Sequence, residues 1–340
     1  KTIRLDTVKK VWEAIKALRV RGAPAIGVTA AFGVLVGIQQ RKPRDVEGIV
    51  QAVNETADYL ATSRPTAVNL RWAIERVLRV VEGSDDDELA AVIRRDAEAI
   101  CAEDVEICLG IGRAGLPLLE AIAERKGGGR VNVLTHCNAG ALATINWGTA
   151  TAPVYLAHQQ GLDVHVWVDE TRPRNQGAAL TAWELGAHGV PHDVIVDNAG
   201  GHLMQHRMVD LCITGTDRTA ASGDVCNKIG TYLKALAARD NGVPFYVALP
   251  GPTIDWSIDD GLSGIPIEER DPSEVTHVHG MLADGDVAAV RITPDGATAR
   301  NFAFDVTPAR LVEGLITERG VCTASHAGLL SLYPERRNKT

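Results

Sequence analysis

Apolar residues recur at helical spacing through the first third of the chain. Val8, Val11 and Ile15 lie three or four positions apart, directly after polar residues that are typical of a helix N-terminus. The same spacing predicts further helices over residues 45–60, 67–81 and 86–123. The run Lys126-Gly-Gly-Gly-Arg130 breaks the pattern. We therefore predict a mainly helical N-terminal domain over residues 1–126.

Short apolar runs alternate with helical stretches in the rest of the chain. The predicted strands are residues 131–134, 165–168, 194–196, 211–214 and 245–249. The helices predicted between them are residues 176–188, 200–209 and 231–239. Strands that are apolar at nearly every position are typical of a parallel sheet covered on both faces. We predict an α/β fold, with a mainly parallel sheet in a second domain over residues 127–340.

Polar residues follow four of the predicted strands directly. They are Cys137, Asp169-Glu170, Asp197-Asn198 and Asp217-Arg218. Ligands of open α/β sheets bind at the carboxyl ends of the strands, so we expect these four ends to border one pocket. Cys137 follows its strand at the point where we expect a helix to begin, and a helix N-terminus can favour a thiolate.

Composition and charge narrow the function class. The 340 residues carry a net charge of -8, which argues against broad nucleic-acid or acidic-membrane binding. We find no run of 18 apolar residues and therefore expect no membrane span. The N-terminal residues lack the apolar core of a signal peptide. The six cysteines form no CxxC pair, which is typical of reduced thiols. We expect a cytoplasmic protein.

Two motifs suggest a cofactor or a metal and are rejected. Gly110-Ile-Gly-Arg-Ala-Gly115 fits GxGxxG but follows a predicted helix, whereas a dinucleotide site requires a strand before the turn. His202 with His206, and His277 with His279, have metal-ligand spacing without a completing Cys or carboxylate nearby. We expect no cofactor and no metal.

Six segments resemble the methylthioribose-1-phosphate isomerase family, which belongs to a wider family with the alpha, beta and delta regulatory subunits of the eukaryotic initiation-factor exchange complex. They are residues 20–28, 64–74, 133–144, 169–185, 213–232 and 265–275. The resemblance implies a helical N-terminal domain, a Rossmann-like C-terminal domain and a homodimer. It also implies a longer segment before the first helix than this sequence carries.

The resemblance further implies an activity and a site. The expected reaction is the conversion of 5-methylthioribose 1-phosphate to 5-methylthioribulose 1-phosphate in methionine salvage, with a small sugar 1-phosphate as the partner. The thiol is Cys137 of "THCN" and the acid is Asp217 of "GTDR". The implied phosphate and sugar contacts are Arg21, Gly22, Ala23, Arg64, Gln176, Asn227 and Lys228.

These residue types suit the chemistry. A sugar phosphorylated on C1 has no free aldehyde, so an acid must protonate the ring oxygen, and burial can keep an aspartic acid protonated near neutral pH. We expect Asp217 to be this acid. Cys137 then either takes the proton from C2 or stays a neutral thiol while a hydride moves from C2 to C1. His136 points to the opposite strand face from Cys137, so we expect no Cys–His pair.

The anion cradle is expected at two places. Arg21 precedes Gly22, which allows a close backbone approach, and arginine forks match phosphate oxygens. Asn227 and Lys228 are expected in a loop that opens a helix. Gln176 begins a helix, and its amide suits sugar hydroxyls.

Two other functions remain open. One is isomerisation of another pentose 1-phosphate, such as ribose 1,5-bisphosphate or 5-deoxyribose 1-phosphate. An apolar environment at C5 favours a methylthio group, whereas extra cations favour a second phosphate. Trp72, Trp147 and Trp183 are candidate apolar wall residues, with the core as the alternative location. The second function is a non-catalytic regulatory subunit, which the presence of both Cys137 and Asp217 disfavours.

Overall fold

The computed structural model describes residues 2–64, 67–82 and 88–337. Among these residues, the N-terminal part is formed by the helices α1 (Val8–Lys16), α2 (Ala23–Arg41), α3 (Val46–Ala61), α4 (Val68–Glu82) and α5 (Leu89–Arg125). They confirm the predicted helical N-terminal part. Pro65, and the predicted helix start at Asp86, lie outside the described residues.

Helix α2 is the centre of this helical part and packs against α1, α3, α4 and α5. Within the described ranges it is the helix that is long and apolar enough to cross a membrane, although the sequence pattern gives no expectation of a span. Of its apolar window, 67% is buried inside the protein. A helix that is apolar on all sides belongs in a core, and burial against its neighbours accounts for this composition.

A seven-stranded sheet forms the centre of the remaining chain. Its strands in spatial order are β13 (Gly320–Cys322), β12 (Gly314–Thr317), β7 (Phe245–Ala248), β4 (Leu211–Thr214), β1 (Val131–Thr135), β2 (Val164–Asp169) and β3 (His192–Ile195). Neighbouring strands are parallel except for β12 and β13. This confirms the predicted, mainly parallel sheet. Strand β3 begins two residues before its predicted start.

Two smaller sheets are absent from the sequence prediction. One has the order β11 (Phe304–Thr307), β6 (Val225–Lys228), β5 (Arg218–Ala220) and β8 (Ile254–Asp255), and the other is the hairpin of β9 (His277–Met281) and β10 (Val287–Arg291). Asn227 and Lys228 therefore lie on strand β6, and their expected position in a loop is wrong. The strand is short and half polar, so it lacks the apolar run by which the longer strands are recognised.

Helices cover the seven-stranded sheet on both faces. The remaining helices are α6 (Ala152–Gln159), α7 (Ala182–Ala187), α8 (Ala199–Gln205), α9 (Thr231–Asp240), α10 (Gly261–Gly264), α11 (Ser273–Thr276) and α12 (His326–Leu332). Leu211 and Ile213 pack with α6 and the C-terminal half of α5, whereas Cys212 packs with α8 and α9. Successive residues of a strand point to opposite faces, so the two clusters are the two covered faces.

The GxGxxG segment lies inside helix α5, as its rejection as a dinucleotide site requires. Its glycines allow α6 to approach closely. A Cβ on Gly112 would lie 2.9 Å from Leu156 Cδ1, and one on Gly115 would lie 2.5 Å from Pro153 Cγ. Because α5 packs on both the N-terminal helices and the sheet, the domain boundary at residue 126 stays a prediction.

Candidate active site

The turn that follows strand β1 presents Cys137. Its backbone has a φ of 68°, in the left-handed region that non-glycine residues seldom adopt. Thr171 Oγ1 accepts a hydrogen bond from the Cys137 amide at 2.8 Å, and Thr181 Oγ1 donates to its carbonyl at 2.7 Å. The expected helix N-terminus at the thiol is wrong, because the next helical residues are a single 3₁₀ turn at Ala141–Ala143.

Two predicted substrate contacts touch the Cys137 sulfur. Arg21 Nη2 lies 3.6 Å from Sγ, and the thiol donates to Gln176 Oε1 at 3.4 Å. Cys137 is 5% exposed, so the sulfur meets a cation and an amide in a nearly dry environment. Charge beside the thiol thus comes from a guanidinium instead of a helix end.

Asp217 follows strand β4 by way of Gly215 and Thr216. Its amide donates to the Cys226 carbonyl at 2.9 Å, which fixes the turn against strand β6. Burial raises the pKa of the Cys226 thiol to about 12, and the neighbouring Asp217 carboxylate adds to the increase. The Asp217 side chain is half-buried.

Cys137 and Asp217 line one small cavity, which we call the thiol cavity. The other predicted site residues that line it are Arg21, Gly22, Ala23 and Asn227. Asp217 and Ala23 also line a second cavity with Arg64, which we call the Arg64 cavity. Asp217 therefore borders both the cavity that contains the Cys137 thiol and the cavity that contains Arg64. Adjacent strand ends bring these distant segments together, as the sequence predicts for β1 and β4.

The backbone at the start of α2 approaches the turn after β1 closely. Gly22 has a φ of 92°, and a Cβ there would lie 2.3 Å from the Ala143 carbonyl oxygen. Arg21 Nη1 donates to the Asn138 carbonyl at 2.7 Å and also to Asn138 Oδ1. Arg21 Nε is buried and has no hydrogen-bond partner within the described protein. The Arg21 guanidinium is thus held through Nη1, and its Nε–H is left to bind an anion.

Arg64 is 8% exposed and is held by Glu268, with 3.1 Å between Nη2 and Oε2. Its guanidinium lies 5.8 Å from the centre of the Phe304 ring. The Nε atom of Arg64, like that of Arg21, is buried without a hydrogen-bond partner in the described part of the chain. Buried polar groups are normally hydrogen-bonded, so each arginine has one unused donor, its Nε–H, for a substrate oxygen.

Lys228 is 6% exposed, donates to the Ala303 carbonyl at 3.0 Å and lies 4.7 Å from the Phe304 ring centre. Burial lowers its pKa, and the Cys137 and Asp217 groups oppose this when they are ionised. Asn227 beside it donates to Thr231 Oγ1 at 3.0 Å. The buried ammonium thus interacts electrostatically with both groups to which the sequence assigns chemistry.

A buried network of charged and polar side chains supports the turn that carries Cys137. His136 Nδ1 lies 2.8 Å from Asp169 Oδ2 and its Nε2 lies 2.9 Å from the Ile229 carbonyl oxygen. Both ring nitrogens thus have partners other than Cys137, in agreement with the expected absence of a Cys–His pair. Lys234 Nζ lies 3.2 Å from Asp169 Oδ2. Asp169 is therefore part of the support and is not a wall of the thiol cavity.

His136, Asp169 and Asp197 each offer an atom within 4.8 Å of the other two, a spacing that could hold a metal ion. Both carboxylate oxygens of Asp197 already accept backbone amides, from Thr171 and Arg172, at 2.7 Å each. Lys234 donates to the Asp197 carbonyl and pairs with Asp169. A lysine ammonium therefore supplies the positive charge at this cluster, and the donor set does not fit a resident metal.

Aromatic residues mark a larger cleft next to the Arg64 cavity. The cleft has a volume of about 660 Å³, and Trp72, Trp256 and Tyr333 line it. It shares Ala67, Arg218 and Pro266 with the Arg64 cavity.

The three tryptophans of the sequence prediction have different environments. Trp72 lines the large cleft, and Trp147 packs partly buried on the sheet core. Trp183 is 63% exposed on α7, so it is not a core residue, and it lines neither the thiol cavity nor the Arg64 cavity. The faces of so short a helix could not be assigned from spacing alone.

Several supporting residues were not predicted from the sequence, among them Asn138, Thr171, Glu184 and Lys234. A signal existed for Glu184, because it is a lone acid among apolar residues of a predicted helix. In each predicted histidine pair one ring has an ordinary partner: His206 Nδ1 lies 2.8 Å from the His202 carbonyl oxygen, and His277 Nδ1 lies 2.9 Å from Thr276 Oγ1.

Comparison with known proteins relates this geometry to a family. The sequence profile of the initiation factor 2 subunit family matches residues 19–324. The methylthioribose-1-phosphate isomerase of Rhodospirillum rubrum is 60% identical over 340 residues, 98% of this chain and 86% of that protein.

Two solved structures are similar throughout. The 5-methylthioribose 1-phosphate isomerase of Pyrococcus horikoshii has a TM-score of 0.83 and 41% identity, covering 97% of this chain and 88% of that one. The translation initiation factor eIF-2B subunit delta of A. fulgidus has a TM-score of 0.79 and 37% identity, covering 98% and 93%. The chain therefore belongs to the initiation factor 2 subunit family.

Proposed function

We propose that this chain is an aldose–ketose isomerase that converts 5-methylthio-α-D-ribose 1-phosphate to 5-methylthio-D-ribulose 1-phosphate in methionine salvage. The observation that carries the proposal is the thiol cavity, where Cys137 and Asp217 meet beside the Arg21 fork. The 60% identity to the R. rubrum methylthioribose-1-phosphate isomerase supports the same reaction.

The residues suggest an order of events. The C1 phosphate binds the free edge of Arg21 and the backbone at Gly22 and Ala23, where helix α2 begins. Asp217 donates a proton to the ring oxygen, the bond from that oxygen to C1 breaks, and the resulting carboxylate takes the proton from the C2 hydroxyl as the ketone forms, while O1 stays bonded to phosphorus. Cys137 takes the proton from C2 and returns it to C1. Arg21 and Lys228 supply positive charge near the sulfur during this transfer.

The Arg64 cavity favours an apolar substituent on C5. Apolar side chains of Ile26, Ile265 and Phe304 contribute to its lining. Its two arginines are already in ion pairs, Arg64 with Glu268 at 3.1 Å and Arg218 with Asp255 at 3.3 Å. A second phosphate would need positive charge that is not already neutralised, so these contacts support a methylthio group over ribose 1,5-bisphosphate. A 5-deoxy sugar is compatible with the same apolar lining.

We also propose a cytoplasmic homodimer without nucleic-acid or membrane partners and without a cofactor. The net charge of -8 supports the absence of polyanionic partners. Val194 and Val196, at the edge strand β3, are 46% and 61% exposed, and such apolar surface at a sheet edge supports self-association. Sedimentation equilibrium across a range of concentrations tests the dimer.

The deciding experiment is a coupled assay with 5-methylthioribose, 5-deoxyribose and ribose 5-phosphate, each phosphorylated on C1. We expect turnover to be fastest with the methylthio sugar. Asp217→Asn should lower kcat by about a thousandfold while the dissociation constant of the substrate changes little. The control is Asp240→Asn, at the exposed end of helix α9. No turnover of any of these sugars, or a fully active Asp217→Asn variant, would refute the proposal.

The proton path has its own readout. When the reaction runs in deuterium oxide, a Cys137 thiol that exchanges with solvent before it returns the proton places deuterium on C1 of the ketose. A direct hydride shift from C2 leaves C1 unlabelled. Mass spectrometry of the product measures the label: deuterium on C1 supports transfer through Cys137, whereas an unlabelled C1 favours a hydride shift without proving it.

A further inference from the structure

The carboxylate of Glu184, on helix α7, is buried below the turn that carries the thiol. Glu184 is 2% exposed. It accepts hydrogen bonds from Asn138 Nδ2 at 2.9 Å, from the amides of Ala141 and Leu142 at 2.6 and 3.0 Å, and from the Tyr155 hydroxyl at 3.4 Å. Every one of these donors is neutral. Burying a carboxylate is costly unless it is well hydrogen-bonded, so these contacts tie the loop firmly to α7.

Glu184 determines which end of the Asn138 amide meets Arg21. A carboxylate only accepts hydrogen bonds, so it requires the amide nitrogen of Asn138 on its side. That nitrogen also donates to Thr181 Oγ1 at 3.2 Å. The amide oxygen is consequently directed to Arg21 Nη1, which also donates to the Asn138 carbonyl at 2.7 Å. A reversed amide would place an N–H against the guanidinium and break this contact.

The same carboxylate holds the surface against which Gly22 packs. The amides of Ala141 and Leu142, which it binds, belong to the 3₁₀ turn Ala141–Ala143. Gly22 lies so close to Ala143 that an added Cβ would be 2.3 Å from the Ala143 carbonyl oxygen. One buried side chain therefore fixes the position of both Arg21 and Gly22.

We propose that Glu184 is the positioning residue of the anion clamp, which consists of the Arg21 guanidinium and the backbone of Gly22 and Ala23. Through Asn138 it orients the Arg21 fork, so that Nη2 faces Cys137 and the buried Nε remains available to a phosphate oxygen. Through the 3₁₀ turn it positions the backbone of Gly22. Glu184 itself touches no substrate. The identity of the anion, a sugar phosphate, rests on the proposed function. The positioning role of Glu184 rests on the hydrogen bonds described above.

The test compares steady-state kinetics with calorimetric binding of inorganic phosphate. Glu184→Gln presents an N–H where Asn138 and the loop amides need an acceptor. We expect KM for 5-methylthioribose 1-phosphate and Kd for phosphate to rise roughly tenfold or more, with kcat within about threefold of wild type. The matched control is Glu318→Gln, because Glu318 also accepts a backbone amide, from Gly251, and a tyrosine hydroxyl, from Tyr333. Glu318→Gln should change neither KM for the sugar phosphate nor Kd for phosphate.

Two further variants separate positioning from general stability. Added to Arg21→Ala, Glu184→Gln should raise KM by a smaller factor than it does in the wild-type background, because the part of its effect that acts through the Arg21 fork is already lost. If Glu184→Gln does not fold, Asn138→Ala cuts the same connection and should raise KM alike.

The outcomes distinguish this inference from the proposed function. A wild-type chain that binds phosphate with the expected variant pattern but turns over no sugar 1-phosphate refutes the function and leaves the inference standing. The inference is wrong if wild type binds no phosphate, if a folded Glu184→Gln or Asn138→Ala variant keeps the wild-type KM and Kd, or if the effects of Glu184→Gln and Arg21→Ala are additive.

Discussion

The His136 imidazole and the Asp169 carboxylate lie 2.8 Å apart, and neither side chain reaches solvent. The pair joins the carboxyl ends of strands β1 and β2. His136 Nε2 continues to the Ile229 carbonyl, directly after the strand that carries Asn227 and Lys228. One buried network thus holds the thiol turn and the strand with the buried lysine in a fixed relation.

Asp169→Asn should destabilise the protein strongly. The change removes the negative charge that compensates Lys234, which is buried and 3.2 Å away. Breaking a buried ion pair from one side costs about 3–5 kcal/mol, and urea denaturation measures the loss. The control is Asp193→Asn, whose carboxylate lies 2.9 Å from His165 Nε2 but whose side chain is 66% exposed. That change should cost less than about 1 kcal/mol; equal losses for the two variants would contradict the argument.

Arg21→Ala should weaken substrate binding much more than turnover. The variant removes the donors that face Cys137 and Asn138 and the unpartnered Nε. A hydrogen bond to a charged phosphate is worth about 1.5–3 kcal/mol, so KM should rise by roughly tenfold to a hundredfold. The control is Arg19→Ala, two residues earlier, which is exposed and paired with Glu13 at 3.0 Å. An unchanged KM for Arg21→Ala would remove Arg21 from the clamp.

The sequence predicts the elements that repeat a regular pattern and the residues at their ends. Short apolar runs identify five adjacent parallel strands, β1, β2, β3, β4 and β7, whereas β12 and β13 were not predicted. The rule that ligands bind at the carboxyl ends of strands brings Cys137 and Asp217 to one cavity. Asn227 and Lys228 were misplaced in a loop because β6 is held by its antiparallel partner β11 and not by an apolar run of its own.

The supporting contacts are harder to predict because they join residues far apart in the chain. Glu184 accepts a hydrogen bond from Asn138, 46 positions away in the sequence. A local sequence pattern carries no information about a contact between residues so far apart. The environment of Cys137 was inferred from a helix that does not form there. What replaces the helix is the Arg21 guanidinium, 116 positions away along the sequence.

Gly22→Ala should affect both stability and substrate affinity. The position combines a φ of 92° with the 2.3 Å approach to Ala143, so an alanine must strain the backbone and displace the turn. We expect a loss of about 1–3 kcal/mol in thermal unfolding together with a raised KM. The control is Gly161→Ala, which has a φ of 83° but open space around its Cβ. Gly161→Ala should lower the free energy of unfolding by about 1 kcal/mol, the cost of a left-handed backbone conformation, and leave KM unchanged. A similar KM for both variants would contradict the argument that Gly22 is needed for its close approach to Ala143.

Asp104 on helix α5 provides a prediction on pH. Its Oδ2 accepts the amide of Ile145 at 2.8 Å and so ties the loop after the thiol turn to α5. Burial raises the pKa of Asp104 from 3.8 to about 6, against the opposing effect of that hydrogen bond. The folded protein therefore holds this proton more tightly than the unfolded chain does.

Between about pH 4 and pH 6 the folded state binds more protons at Asp104, so this group lowers the stability as the pH rises through that window, and the full penalty remains above it. Asp104→Asn keeps the acceptor for Ile145 and removes the ionisation. The variant should gain roughly 2–3 kcal/mol relative to wild type on going from pH 4 to pH 7.5. The control is Glu106→Gln, on the exposed side of the same helix, whose difference from wild type should stay nearly constant. Urea denaturation at the two pH values measures this, and an Asp104→Asn offset that does not change with pH would show that the buried carboxyl does not carry the predicted shift.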